Sequence, residues 1–60
     1  MMYLSDYETY ISNYLANCGQ NPDEWDIEGA ANEMYDELDG ASPEDCSEDE
    51  FIGILTKYEA

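Results

Sequence analysis

Arginine and histidine are absent from this chain, and lysine occurs once, at Lys57. Against that cation stand sixteen Asp and Glu, which sets the formal net charge at -15 on 60 residues. Such a balance excludes direct nucleic-acid binding, which needs cations to displace counterions from phosphate. It equally excludes docking on an anionic membrane surface. Without His, and with one Lys, the common general bases, Schiff-base chemistry and arginine clamps are missing. No catalytic residue and no cofactor is expected.

Long apolar runs are also missing, so no segment is expected to span a bilayer. The start, Met1-Met2-Tyr3-Leu4-Ser5-Asp6, lacks the basic region and apolar stretch of a signal peptide, and a cytoplasmic protein is expected. Cysteine is limited to Cys18 and Cys46. Two thiols without His fall short of a closed zinc site, and in a reducing compartment both are expected free. Cys18 falls on an apolar helix face as a small buried hydrophobe. Cys46 sits among Glu44, Asp45 and Glu48, whose charge should raise its pKa. A calcium loop needs Gly at its sixth position and Glu at its twelfth. With Gly29 sixth the twelfth residue is Tyr35, and with Gly40 sixth it is Cys46, so no metal site is expected.

What is present is an organised apolar minority. Apolar residues make up 43% of the chain, with six Tyr, one Trp and one Phe. One domain, residues 1–60, is all that this length allows, and its core must be thin. Ser5 to Glu8 reads as a capping box, followed by a stripe at Tyr7, Tyr10, Ile11, Tyr14, Leu15 and Cys18. Gly19 then stops a helix that spans about Asp6 to Cys18. Asn21-Pro22-Asp23-Glu24 signals a single turn ending near Trp25. Asp26 caps a second helix with its stripe at Ile27, Ala30, Ala31, Met34, Tyr35 and Leu38, ended by Gly40. Ser42-Pro43 starts another short turn. Ser47 to Glu50 is a second capping box, opening a third helix with its stripe at Phe51, Ile52, Leu55 and Tyr58; Ile54 lies off that stripe and widens the apolar face, and Lys57 complements the dipole in the last turn. The expected fold is all-α: a compact bundle of three amphipathic helices with one-turn helices in the connections.

Thirteen of the sixteen acids fall between residues 23 and 50. Some of them favour first helical turns, but almost no cations are interspersed, and self-repulsion destabilises a compact state. Glu33, Asp36, Glu37 and Asp39 lie off the apolar stripe of the second helix and form the first candidate for a partner-binding face. Asp23, Glu24, Asp26, Glu44, Asp45, Glu48 and Asp49 extend it. Trp25, between Glu24 and Asp26, is either a lid over the bundle end or an aromatic interface anchor. Duplex DNA carries one charge per roughly 1.7 Å of axis, so fifteen charges match about 25 Å of duplex. A 60-residue globule has a radius of gyration near 10 Å and a similar diameter of about 25 Å.

In size, charge, scarcity of basic residues and helical build, the chain resembles the small acidic DNA-mimic proteins of phages and mobile elements, the anti-CRISPR type above all. That resemblance implies a monomer in the bacterial host cytoplasm that occupies the basic channel of a CRISPR effector subunit, or another basic nucleic-acid-binding protein, and blocks DNA. The alternative is an acidic interaction module, such as a regulatory subunit or antitoxin, that docks a basic partner without imitating DNA.

Overall fold

The first helix forms because its apolar residues recur on one face, and it begins earlier than Ser5 would dictate. In the computed structural model, which describes residues 3–59, α1 spans Leu4–Asn17. Its N-cap is Tyr3, whose backbone N–H donates to the Asp6 carboxylate at 2.9 Å. Starting at Leu4 lets that side chain pack on the core, while Asp6 still satisfies the exposed N–H. Ser5 therefore lies inside the helix, where its carbonyl accepts the Thr9 hydroxyl. The far end closes as a Schellman motif. Gln20 N–H donates to Leu15 O at 2.9 Å and Gly19 N–H to Ala16 O at 3.1 Å, with Gly19 left-handed at φ 80°.

The next two helices start where their caps are written. Asn21 accepts from Asp23 N–H to open the 3₁₀ turn Pro22–Glu24. Asp26 Oδ1 accepts from Gly29 N–H at 3.1 Å and opens α2, Ile27–Leu38. Asp39, left-handed at φ 52°, precedes Gly40 at φ 82°, so two consecutive left-handed residues end α2. Ser42 caps the 3₁₀ turn Pro43–Asp45. Ser47 Oγ accepts from Glu50 N–H at 3.2 Å and opens α3, Glu48–Leu55. A last 3₁₀ turn, Thr56–Tyr58, follows, so Lys57 lies beyond α3 and not in its final turn.

Three helices with one-turn connections confirm the all-α bundle, and among the described residues there is no strand. A lone antiparallel bridge pairs Trp25 with Glu59, and Asp26 N–H donates to Tyr58 O at 3.0 Å. The chain end is thereby tied to the α1–α2 connection. The radius of gyration is 10.3 Å and the extents are 27 × 21 × 18 Å, close to the dimensions expected from length.

The core comprises Tyr7, Ile11 and Leu15 of α1, Ala30, Ala31 and Met34 of α2, and Phe51, Ile54 and Leu55 of α3. The small pair Ala30–Ala31 is fully buried in this core, and α1 and α2 form the most extensive helix pairing. Tyr10 and Tyr14 meet Phe51 in T-shaped contacts, with centroids at 5.5 and 5.0 Å. Ile54, expected to widen the apolar face, is buried, and Ile52, expected on the stripe, is only half-buried. The short α3 is rotated so that Phe51, Ile54 and Leu55 face the core, with Ile52 packed at its margin.

Gly29 shows how tightly the chain end is docked. A Cβ there would meet Asp26 Oδ2 at 2.5 Å and the Tyr58 ring at 2.8 and 2.9 Å. Helix propensity alone favours Ala over Gly by about 1 kcal/mol. Overpacking costs about 1–3 kcal/mol, and here it strikes the N-cap and a ring held by its own hydroxyl. Gly29→Ala should therefore lower the melting temperature. A rise would show that Tyr58 moves aside freely.

Candidate functional site: an acidic surface with one neutralised position

The helical period distributes the α2 acids in three directions rather than one. At about 100° per residue, Gly29, Glu33 and Glu37 share one flank, Asp36 forms the crest, and Glu28, Asn32 and Tyr35 share the other flank, with Asp39 beyond the helix as its C-cap. The first flank faces the chain end. Lys57 Nζ approaches Glu33 Oε2 at 2.6 Å, and the Tyr58 hydroxyl donates to Glu33 Oε1 at 2.8 Å. The Glu33 side chain retains 21% of its exposure. The lone basic side chain of the molecule is thus spent on one carboxylate.

The pair leaves a signature in both partners. Hydrogen bonds from Lys57 and then Tyr58 hold the Glu33 carboxyl below its usual range, and Glu33 raises Lys57 and Tyr58 in turn. A carboxyl depressed in the folded state stabilises the fold above its unfolded pKa. That contribution disappears as pH falls through the lowered folded value. The gap in melting temperature between the native protein and Glu33→Gln should therefore be present at neutral pH and close at strongly acid pH. A gap unchanged by acid would mean that the carboxylate charge does not support the clasp.

Asp36, Glu37 and Asp39 are exposed, as are Asp23, Glu24, Asp26, Glu44, Asp45, Glu48 and Asp49. Of these, Asp26 is engaged as the α2 cap. Glu44 and Glu48 come together on a groove of about 320 Å³ with Tyr10, Tyr14, Phe51, Pro43 and Cys46. Glu33 is the exception within the expected face: its charge is paired and its side chain mostly covered. Moderate salt should raise the melting temperature by screening the remaining like charges, since the Debye length is only about 10 Å at 0.1 M. A flat or falling response up to 0.3 M would show better-spaced charges than this reading requires.

Trp25 is half-buried, packs against the core and has its backbone bridged to Glu59. It sits as a lid on the bundle end. Among the described residues, the exposed large apolar side chains are instead Tyr3 at 71% and Tyr35 at 37%. They line a groove of about 500 Å³ with Leu4, Ser5 and Asn32. Tyr35, expected on the α2 stripe, stands at its edge and meets Tyr7 in a T-shaped contact at 6.0 Å. No sequence signal separates it from Tyr7, which is fully buried and donates its hydroxyl to Ala41 O.

The cysteines are free. Cys18 is exposed at the α1 C-cap, a correction to the buried position its spacing suggested. The Schellman turn ends the helix before that face meets the bundle. Cys46 is half-buried with its thiol against Pro43 O at 3.0 Å. Its pKa is raised, first by burial and then by Glu50 and Asp45. Among the described residues no three His, Cys, Asp or Glu come together as a metal site, and no helix is long and apolar enough to cross a membrane.

No family model matches this chain, and no match is found among curated proteins or solved structures.

Proposed function

We propose that this chain is a non-catalytic DNA-mimic inhibitor that occupies a basic nucleic-acid channel in a bacterial defence complex, of the kind anti-CRISPR proteins block. One observation carries the reading. A net charge of -15 is distributed over a body 27 Å long, about one charge per 1.8 Å of its axis, against roughly 1.7 Å for duplex DNA. The only basic side chain is withdrawn from this field by Glu33. The carboxylates project from three helices packed on one core and from the short turns and caps that join them, so their spacing is held by the fold, as phosphate spacing is held by a backbone. Such a field accelerates encounter with a basic groove and makes the complex salt-sensitive.

The test is competition. A complex captured by the protein from bacterial lysate at low salt is assayed for target-DNA loading while the protein is titrated in. Stoichiometric loss of DNA loading, weakening steeply as salt rises, is the expected result. If the protein stays bound while DNA loads normally, mimicry is wrong and the chain is an acidic module that docks elsewhere on its partner.

A further inference from the structure

We infer that the groove between the start of α1 and the outer flank of α2 is a receptacle for an arginine side chain of the basic partner. The inference rests on the reading that the partner is basic, and it names the contact that would give the complex specificity beyond charge. The groove holds about 500 Å³ and is lined by Tyr3, Leu4, Ser5, Asn32 and Tyr35. Tyr3 and Tyr35 are also the large apolar side chains left exposed among the described residues, at 71% and 37%. The exposed aromatic surface is thus the wall of the groove itself. Tyr is among the residues enriched where interfaces concentrate their binding energy.

Charge complementarity selects the occupant. Glu28 lies one helical turn before Asn32, and Asp39 follows Tyr35 by four residues as the C-cap of α2, so carboxylates precede and follow the two α2 residues of the groove, while its own lining is uncharged. Asp39 is close enough to Tyr7, which meets Tyr35 in a T-shaped contact, to help raise the Tyr7 pKa, after burial and after Tyr35 and Cys46. The lone Lys is at Glu33, on the opposite flank of the helix, and supplies no cation here. A second copy of this chain would bring another -15 against the first and is repelled. An arginine fits both parts of the site: its flat, weakly hydrated guanidinium stacks on tyrosine while its donors reach carboxylates. Lysine carries the same charge but is a compact, strongly hydrated point charge, and gains less from the rings.

Hexaarginine and hexalysine peptides, matched in charge, separate this contact from general attraction. Titrated into the native protein at fixed ionic strength, hexaarginine should bind about fivefold more tightly, on the scale of one exposed cation–π contact. Its side-chain δ-methylene protons should move upfield over the tyrosine rings. Tyr3→Ala with Tyr35→Ala should remove the preference and leave hexalysine affinity unchanged, whereas Tyr3→Phe with Tyr35→Phe should retain it. Because Tyr35 touches Tyr7, the single Tyr3→Ala variant, altered only at a largely exposed side chain, serves as the check on folding. It should cut the preference by at least about half. Equal affinity for the two peptides, or a preference that survives both alanine variants, overturns the inference. No DNA or effector is present in the titration. Failure of DNA exclusion thus leaves this result standing, and loss of the arginine preference leaves mimicry standing.

Discussion

Leu15→Ala should leave the protein largely unfolded at low salt near room temperature. Leu15 is 1% exposed and is one of four large side chains that are fully buried, with Tyr7, Ile11 and Met34. Truncating a buried leucine costs about 2–5 kcal/mol, the larger values arising where the cavity cannot collapse. Collapse is hard here, because two of the nine core residues, Ala30 and Ala31, are already small and have no longer side chain to offer. A domain of this size has a total stability of only about 3–5 kcal/mol from its core. Like-charge repulsion further reduces that margin. Even a loss at the low end should shift the melting temperature by about 10 °C or more. Cys18→Ala, on the same helix but exposed, should change stability by no more than about 0.5 kcal/mol. Circular dichroism melts of both variants decide the matter. A Leu15→Ala protein that melts with the parent would mean that α1 does not hold the core as described. If 0.5 M salt restores its helicity, self-repulsion and core packing draw on the same small reserve.

What the sequence revealed and what it hid follow from the range of each interaction. Capping is local, spanning three or four residues, so Asn21, Asp26, Ser42 and Ser47 announced four of the element starts correctly. Helix one shows the limit of that rule. Ser5-Asp6-Tyr7-Glu8 has the spacing of a capping box, yet Leu4 gains more by entering the helix and touching the core, and Asp6 takes over the capping bond. Periodicity gave the orientation of long helices well and of the short one poorly. Over eight residues of α3, a stripe through Ile52 and one through Ile54 differ by a rotation that only the neighbouring helices can choose. The contacts that shape the acidic surface are the least local. Lys57 and Glu33 lie 24 residues apart, and Tyr58 and Glu33 25 apart. Nothing in the spacing of either segment tells that one acid of the α2 face is neutralised. The same docking of the chain end covers Trp25 and leaves Tyr3 and Tyr35 as the exposed aromatics.

Reversing two charges on the α2 surface should abolish inhibition without unfolding the protein. The choice of positions comes from the structure. Glu33 is unsuitable, since its loss would free Lys57 and Tyr58 and confuse binding with stability. Asp39 is unsuitable because it is left-handed at φ 52°, a conformation a lysine tolerates poorly. Asp36 on the crest and Glu37 beside it are exposed and helical. Lys is a good helix former, so Asp36→Lys with Glu37→Lys should keep α2 intact. Lys at both positions also lies in the second half of the helix, where cations favour the dipole. The net charge moves from -15 to about -11, which should relieve self-repulsion and hold or raise the melting temperature. Binding should respond in the opposite direction. Each site loses an attraction to the basic channel and gains a repulsion, and like charges facing across an interface cost several kcal/mol. At least a hundredfold weaker inhibition of DNA loading is expected, on the order of 3 kcal/mol. A single neutralisation, Asp36→Asn, should act mainly on the association rate and lessen the salt dependence. The two responses together are diagnostic, because a variant that is more stable yet fails to inhibit cannot have failed through misfolding. If the double reversal excludes DNA as well as the native protein does, the interface lies on another part of the surface, and the groove flanked by Glu44 and Glu48 is the next to reverse.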